Sequence, residues 1–175
     1  METDLRYPVG KFERPERLEE SRILALVDSL AEAPARLARA VAGLNAARLD
    51  TPYRPGGWTL RQVVHHLPDS HMNAYIRCKL ALTESDPTIK TYEEERWAEL
   101  ADSRSPIEPS LALFENLHAR WVLLLRSLAK PDWGRKFLHP NLGMMTVGQN
   151  LAQYEWHGRH HVAHIVSLRE RQGWL

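Results

Sequence analysis

The sequence has little that is typical of secreted, membrane-spanning or nucleic-acid-binding proteins. It contains one cysteine, Cys78, so no internal disulfide can form. It has no run of 18 apolar residues, and its first ten residues lack the charged and apolar regions of a signal peptide. We therefore expect a cytoplasmic protein that does not contact the membrane.

Neither sign of charge is in excess. The chain has 23 Lys and Arg against 22 Asp and Glu, a formal net charge of +1. Acidic residues interrupt almost every basic cluster, whereas binding to a phosphate backbone needs a concentrated basic face. We expect a small-molecule substrate and no nucleic-acid partner.

The length and composition suit one folded domain. The chain has 175 residues, of which 43% are apolar and 26% charged. Since a domain has roughly 150 residues, we expect one domain over residues 1–175 with a substantial core. No internal repeat is present, which argues against a helical array.

Four segments repeat apolar residues at helical spacing. The second and fourth begin at capping boxes, Thr59 with Gln62 and Thr146 with Gln149, and the fourth ends before Gly173. The segments are residues 23–44, Leu60 to about Leu82, about Pro109 to Ala129, and the stretch that follows Thr146. They predict an all-α protein that folds as a four-helix bundle.

Helix breakers and long connections divide this bundle. Pro34 should kink or restart the first helix, and Pro68 should bend the second. Residues 83–108 form an unusually long crossover between helices two and three, in which we expect a short helix from about Glu93 to Ala101. A short hairpin or irregular loop is expected over residues 132–145.

Histidine is the residue type that stands out. Four of the nine histidines lie within residues 157–164, at spacings of three, four and seven that place them along one stripe of helix four. Imidazoles at i and i+4 can bind one divalent ion if a third ligand comes from a facing helix. The second helix carries the candidates His65, His66 and His71. The full set is His65, His66, His71, His118, His139, His157, His160, His161 and His164.

The apolar residues around these histidines indicate which of them point inward. His161 lies seven residues from both Tyr154 and Leu168, and His157 lies one turn earlier on the same seam. The alternative pair, His160 and His164, is displaced toward the edge of that stripe. On the second helix His66 is nearest the inward face, although a bend at Pro68 would rotate it.

Five segments carry a resemblance to a known family. They are YPVG, TPYRPGGWTLRQVVHHLPDSHMN, LALTESDP, LHARW and WHGRHHVAHI. With them the chain resembles the DinB-like four-helix metalloproteins, and within these the YfiT branch, described as metal-dependent hydrolases and related to bacillithiol S-transferases. The resemblance covers nearly the whole chain.

The resemblance implies a set of metal ligands. The family pattern His-Leu-x-Asp falls on His66, and His-x-x-x-His falls on His157 and His161. It also implies a homodimer with one divalent metal per subunit, zinc first and nickel as the alternative. Pro68 departs from the small helix former usual at its place, and His164 remains an alternative or supporting ligand.

Two enzymatic functions are compatible with such a site. A metal-dependent hydrolase would activate water, with Asp69, Glu155 or one of the histidines outside the ligand set as candidate general acid or base. A low-molecular-weight-thiol S-transferase would activate a thiol such as bacillithiol. Such an enzyme would need cations for the carboxylates of the thiol, and the candidates are Arg61, Arg77, Arg120 and Arg159.

A third function is not catalytic. In a metal-stabilised dimerisation or sensing module the ion would be fully coordinated, for example by His164 in addition to the three ligands above. An ion held by three histidines alone would keep an open position, which is typical of catalytic sites.

Overall fold

Residues 4–174, described by a computed structural model, form long helices joined by short elements and one hairpin. The helices are α1 (Glu20–Ala31), α2 (Ala33–Val41), α3 (Ala46–Leu49), α4 (Leu60–Thr83), α5 (Glu94–Trp97), α6 (Glu108–Arg126) and α7 (Val147–Gln172). Two 3-10 turns cover Ala101–Arg104 and Lys130–Gly134, and the strands are β1 (Lys136–His139) and β2 (Gly143–Thr146).

Four rods make up the bundle, the first of them shared by α1 and α2. Both α6 and α7 pack against α1 and α2 on one side and against α4 on the other. Thus α6 lies across the bundle from α7, and α4 lies across from α1 and α2. The predicted all-α four-helix bundle is confirmed. Within residues 4–174 no helix is long and apolar enough to span a membrane.

The two prolines act differently. Pro34 is the second residue of α2, where its missing N–H is not needed, and the first rod restarts there as predicted. Leu44, the last residue of the first apolar stripe, packs on the core just beyond the end of α2. In contrast, α4 continues through Pro68 as one helix of 24 residues.

Side-chain caps fix where the two histidine-bearing helices begin. In both predicted capping boxes the threonine hydroxyl accepts from the glutamine N–H, and the glutamine side chain accepts from the threonine N–H. At the other end of α7, Gly173 takes the left-handed conformation, with φ of 64°. Local sequence therefore sets the axial position of His66 and of the α7 histidines.

The crossover and the hairpin form one small assembly beside the bundle. The crossover contains α5 and the first 3-10 turn instead of the longer helix expected over Glu93–Ala101. The strands pair antiparallel, with Lys136 opposite Thr146 and His139 opposite Gly143. The Ile89 N–H donates to the Leu138 carbonyl at 3.0 Å, which joins the crossover to β1.

The apolar core is divided into two clusters along the bundle axis. On α6, Phe114 belongs to one cluster and Trp121 to the other, and His118 lies between them. On α7, Tyr154 and Ile165 belong to different clusters in the same way, and His157 and His161 lie between them. A layer of histidines therefore crosses the bundle between its two apolar halves.

Candidate metal centre

Three histidines from two helices meet in this layer. His66 comes from α4, and His157 and His161 come from α7; one ring nitrogen of each lies within 4.8 Å of the other two. The Nε2 atoms of His66 and His157 are 3.2 Å apart. Two nitrogens bound to one tetrahedral ion at about 2.05 Å would be roughly 3.3 Å apart, so this spacing fits a shared ion.

A row of hydrogen-bonded imidazoles leads away from His157. Its Nδ1 lies 3.2 Å from His71 Nε2, and His71 Nδ1 lies 3.1 Å from His118 Nε2. The row ends where His118 Nδ1 approaches the Phe114 carbonyl oxygen at 2.8 Å. We call His157, His71 and His118 the inner row.

The carbonyl at its end gives the inner row a direction. A carbonyl oxygen only accepts, so His118 Nδ1 must carry the proton, and in a neutral ring its Nε2 must then accept. The same logic makes His71 Nδ1 a donor to His118, and His157 Nδ1 a donor to His71. The lone pair of His157 Nε2 is therefore left facing His66.

Burial keeps these rings neutral. It lowers the pKa of His66 to about 4, and that of His118 to about 4. The pKa values of His71, His157 and His161 lie well below the ordinary 6.5, first because of burial and then because neighbouring imidazoles would repel a second charge. Neutral imidazole is the form that binds metal.

His161 has unused hydrogen-bonding capacity. Its Nδ1 is buried and has no hydrogen-bond partner among residues 4–174. The Trp58 ring covers one side of the group, with ring centroids 4.7 Å from His66 and 6.4 Å from His161. His66 and His161 are buried and His157 is half-buried. A neutral donor set with an unsatisfied nitrogen suits a divalent ion, and no fourth His, Cys, Asp or Glu of residues 4–174 joins the group.

His160 and His164 form an outer pair on α7. The His164 ring stacks on Tyr53 with centroids 4.0 Å apart, and its Nε2 lies 3.3 Å from the Arg6 carbonyl oxygen. The His160 ring stacks on Trp156 at 4.5 Å. Burial lowers the pKa of both to about 4. The outer pair lies beside the group of three, and both of its histidines are buried, whereas His157 is half-buried.

The three histidines open into a cavity of about 640 Å³. Its walls come from α4, α7, the crossover, the hairpin turn, the loop before α4 and the N-terminal arm, which is the described segment before α1, residues 4–19. The arm is held on α7, because Trp156 donates to the Gly10 carbonyl at 3.2 Å and Gln149 donates to the Pro15 carbonyl at 2.9 Å. A small molecule of moderate size fits this space.

Comparison with known proteins agrees with this architecture. The model of the DinB superfamily matches residues 29–165. The chain belongs to the DinB superfamily. It is 53% identical over 171 residues to a Bacillus mycoides protein named "putative metal-dependent hydrolase", covering 98% of this chain and 99% of that protein. A Bacillus cereus protein of the same name is 52% identical over 171 residues, with the same coverage.

A solved structure is also similar to this chain. YfiT from Bacillus subtilis superposes with a TM-score of 0.95 at 47% identity, over 98% of this chain and 99% of that one. It is described as a probable metal-dependent hydrolase with an unusual four-helix bundle topology. This chain and YfiT thus share the four-helix bundle expected from the resemblance, over 98% of this chain.

The two carboxylates considered as general bases do not line the cavity of this DinB protein. Asp69 is half-buried, and burial followed by the charge of Asp102 raises its pKa to about 6. Glu155 accepts from Ser29 at 2.7 Å and from Arg159 at 2.7 Å. The carboxylates that line the cavity are instead the exposed Glu94 and Glu95 on α5.

The four candidate arginines differ in whether they are paired, exposed or at the cavity. Arg61 pairs with Asp50 at 2.6 Å, Arg159 pairs with Glu155, and Arg120 is exposed. Of the four, Arg77 alone lines the cavity.

Burial raises the pKa of the Cys78 thiol to about 11, which fits an inert core residue.

Sequence reasoning considered His71 only as one of three candidates for the third ligand and assigned no role to His118. One signal was available for His118, which lies on the apolar stripe of its helix between Phe114 and Trp121, where an unpaired imidazole would be costly. His71 carried no such signal. It is five residues from His66, and only the packing of α4 against α6 and α7 brings it between His118 and His157.

Proposed function

We propose that this DinB protein is a metal-dependent hydrolase that holds one divalent ion with His66, His157 and His161. The observation that carries the proposal is the direction of the inner row. It ends on the Phe114 carbonyl, so the lone pair of His157 Nε2 faces His66 at 3.2 Å. In metal sites the second ring nitrogen of a ligating histidine is typically held by such a hydrogen bond.

Zinc is the ion we propose first, with nickel second. Three neutral imidazole nitrogens without a carboxylate match catalytic zinc sites. When bound, such an ion supplies Lewis acidity at an open coordination position, where either water or a thiol can be activated. The relatives' names favour hydrolysis of a small-molecule substrate.

The residues of the chain have separate tasks in this proposal. His71 and His118 hold the tautomer and the orientation of the His157 ring. Trp58 shields one side of the three histidines from water, which strengthens electrostatic interactions at the site. The cavity beyond them admits the substrate.

Thiol transfer is the second candidate, and one observation favours it. Arg77 provides the cavity with a buried cation of the kind that would receive a carboxylate of a low-molecular-weight thiol. The non-catalytic module is less well supported. His164, its proposed fourth ligand, lies outside the group of three and its Nε2 donates to the Arg6 carbonyl.

Metal analysis tests the proposed ligands. Dialysed wild type should hold about one equivalent of metal, and His157→Ala should lose it while keeping its helical circular dichroism spectrum. The matched control is His65→Gln, since His65 is next to His66 but bonds Ser105 and Ser110 instead. Stoichiometric metal in His157→Ala would refute the proposed ligand set.

The reaction is tested on metal-loaded protein with an ester and amide panel, and with a generic electrophile plus a thiol. Hydrolysis without thiol supports the hydrolase. Conjugation that requires thiol supports the transferase, and turnover in neither assay favours the non-catalytic module.

Three further features belong to the same proposal. We propose that residues 1–175 form one domain, that the protein acts in the cytoplasm, and that it is a homodimer. Sedimentation analysis of the metal-loaded protein checks the dimer, and a monomer at micromolar concentration would contradict it.

A further inference from the structure

Arg77 is a buried cation without a counter-ion. Its residue surface is 7% exposed, and it lies on the wall of the cavity that holds the three histidines. No carboxylate of residues 4–174 lies within 4.0 Å of its guanidinium. By contrast, Arg61 and Arg159 both pair with carboxylates.

Only some of the N–H donors of the Arg77 guanidinium have an acceptor in the described part of the protein. Its NH1 donates to the Tyr154 hydroxyl at 3.1 Å, and its NH2 makes a long contact of 3.5 Å to the Lys90 carbonyl oxygen. Guanidinium carries five N–H donors, so several have no acceptor within residues 4–174. The Arg77 Nε, which has no partner within residues 4–174, keeps some exposed surface, so a ligand in the cavity can accept a hydrogen bond from it.

Tyr154 extends this donor set toward the histidines. Because its oxygen accepts from Arg77, its own proton must point elsewhere, and the Ser70 side chain, which lines the same cavity, is also within hydrogen-bonding reach of the hydroxyl. Burial raises the pKa of the phenol, so the hydroxyl keeps that proton at neutral pH. The Tyr154 ring centroid is 5.5 Å from that of His157, so the phenol lies between Arg77 and the group of three.

Within residues 4–174 no charged group near Arg77 forms an ion pair with it, although the charge of Glu94 acts on Tyr154 and contributes to its raised pKa. His139 lines the same wall, and its pKa is lowered by burial and by the nearby Arg77 charge, so it is neutral at pH 7. Glu94 and Glu95 line the cavity as exposed side chains and form no ion pair with Arg77.

We propose that Arg77 and the Tyr154 hydroxyl form a binding subsite for an oxyanion, a carboxylate or phosphate group, of the small-molecule substrate. The fork of the guanidinium binds two oxygens of such a group, and the phenol adds a third donor. This substrate class deepens the proposed function and rests on it, because the reacting bond would lie next to the three histidines. Anion binding itself needs no metal.

The test is a titration of metal-free and metal-loaded protein with malonate and with inorganic phosphate at constant ionic strength. Backbone amide NMR shifts of residues 77 and 154 report the location. We expect binding of one or both probes without metal, on the order of 10-fold weaker in Arg77→Met, since hydrogen bonds to charged groups are the stronger ones. Tyr154→Phe should weaken it less. The probe bound more tightly identifies the oxyanion as carboxylate or phosphate.

The matched control is Arg61→Met, which removes a guanidinium already paired with Asp50 and should leave probe affinity unchanged. Equal affinity in wild type and Arg77→Met, or no binding of either probe, would overturn the subsite. Metal content separates this failure from failure of the proposed function. Arg77→Met should retain its metal, and metal-free titration decides the subsite even if the proposed ligands are wrong.

Discussion

The inner row and the outer pair use the same side chain in opposite ways. In the inner row, His157 bonds His71, His71 bonds His118, and His118 bonds a backbone carbonyl. In the outer pair, His160 and His164 stack on aromatic rings, and the Nδ1 atom of each is buried without a partner in residues 4–174. Burial lowers the pKa in both groups, so burial alone does not mark the proposed site.

The difference lies in hydrogen-bond direction. A fixed acceptor at the end of the inner row determines the tautomer of all three rings, and therefore which nitrogen of His157 has a lone pair. Among the described residues 4–174, the outer pair has one such contact, from His164 Nε2 to the Arg6 carbonyl oxygen. The comparison teaches that whether a buried histidine is assigned as a metal ligand depends on the hydrogen-bond partner of its second ring nitrogen.

Acid should destabilise the metal-free protein more than any single substitution considered below. The folded-state pKa values of these histidines lie below 6.5, so the unfolded chain binds more protons as pH falls from about 6.5 toward 4. The free energy of unfolding therefore decreases across that window, by about 3 kcal/mol for His66 alone, whose pKa falls to about 4. Asp69, with its pKa raised to about 6, opposes this more weakly.

Urea unfolding of metal-free protein at several pH values measures this effect. Replacing both outer histidines by Phe should reduce the slope, because that pair shares the lowered pKa. Stability that is flat or rises below pH 6.5 would show that the rings are not held neutral.

Breaking the inner row should weaken metal binding without removing a ligand. We expect His71→Phe to lower metal affinity by roughly 10- to 100-fold, the usual effect of losing the hydrogen bond behind a ligating histidine. Competition with a chelator measures it. An unchanged dissociation constant would mean that the row does not orient His157.

His118→Phe should have a smaller effect on metal affinity. His118 touches no proposed ligand and acts only by holding the proton on His71 Nδ1. In the same competition assay we expect the metal affinity of His118→Phe to lie between that of wild type and that of His71→Phe. A metal affinity lower than that of His71→Phe would rule out that His118 acts on His157 only through His71.

His164→Phe tests the outer pair. Phe keeps the stacking on Tyr53 and removes the nitrogens. We expect metal affinity to change by less than about 3-fold, well below the effect expected for His71→Phe. Loss of bound metal would instead identify His164 as a ligand.

Gly158→Ala should have the smallest effect. A Cβ at this helical position would meet His71 Cε1 at 3.6 Å and the Ala33 Cβ at 3.8 Å, which are ordinary contacts. Helix propensity then predicts a gain of about 0.5–1 kcal/mol in unfolding free energy. A clear loss in thermal or urea unfolding would show that the contact with His71 is tighter than this geometry indicates.

The bundle and most local features were predicted well, whereas the side-chain contacts between helices that form the inner row were not. The capping boxes at Thr59 and Thr146 and the break at Pro34 depend on neighbours along the chain, and the structure has all three. The short helix in the crossover was predicted too long. None of the residues of α5 is buried, so no apolar face against the bundle extends this helix.

The sequence by itself determined the helices, their caps and the inward stripe that carries His157 and His161, because helical spacing and capping act within a few residues. Tertiary structure alone decided the rest. The packing of α6 against α4 joined His118 to His71, and the packing of α4 against α7 left Arg77 buried beside Tyr154. Hydrogen-bond direction and the absence of a counter-ion depend on residues far apart in the chain, so spacing cannot encode them.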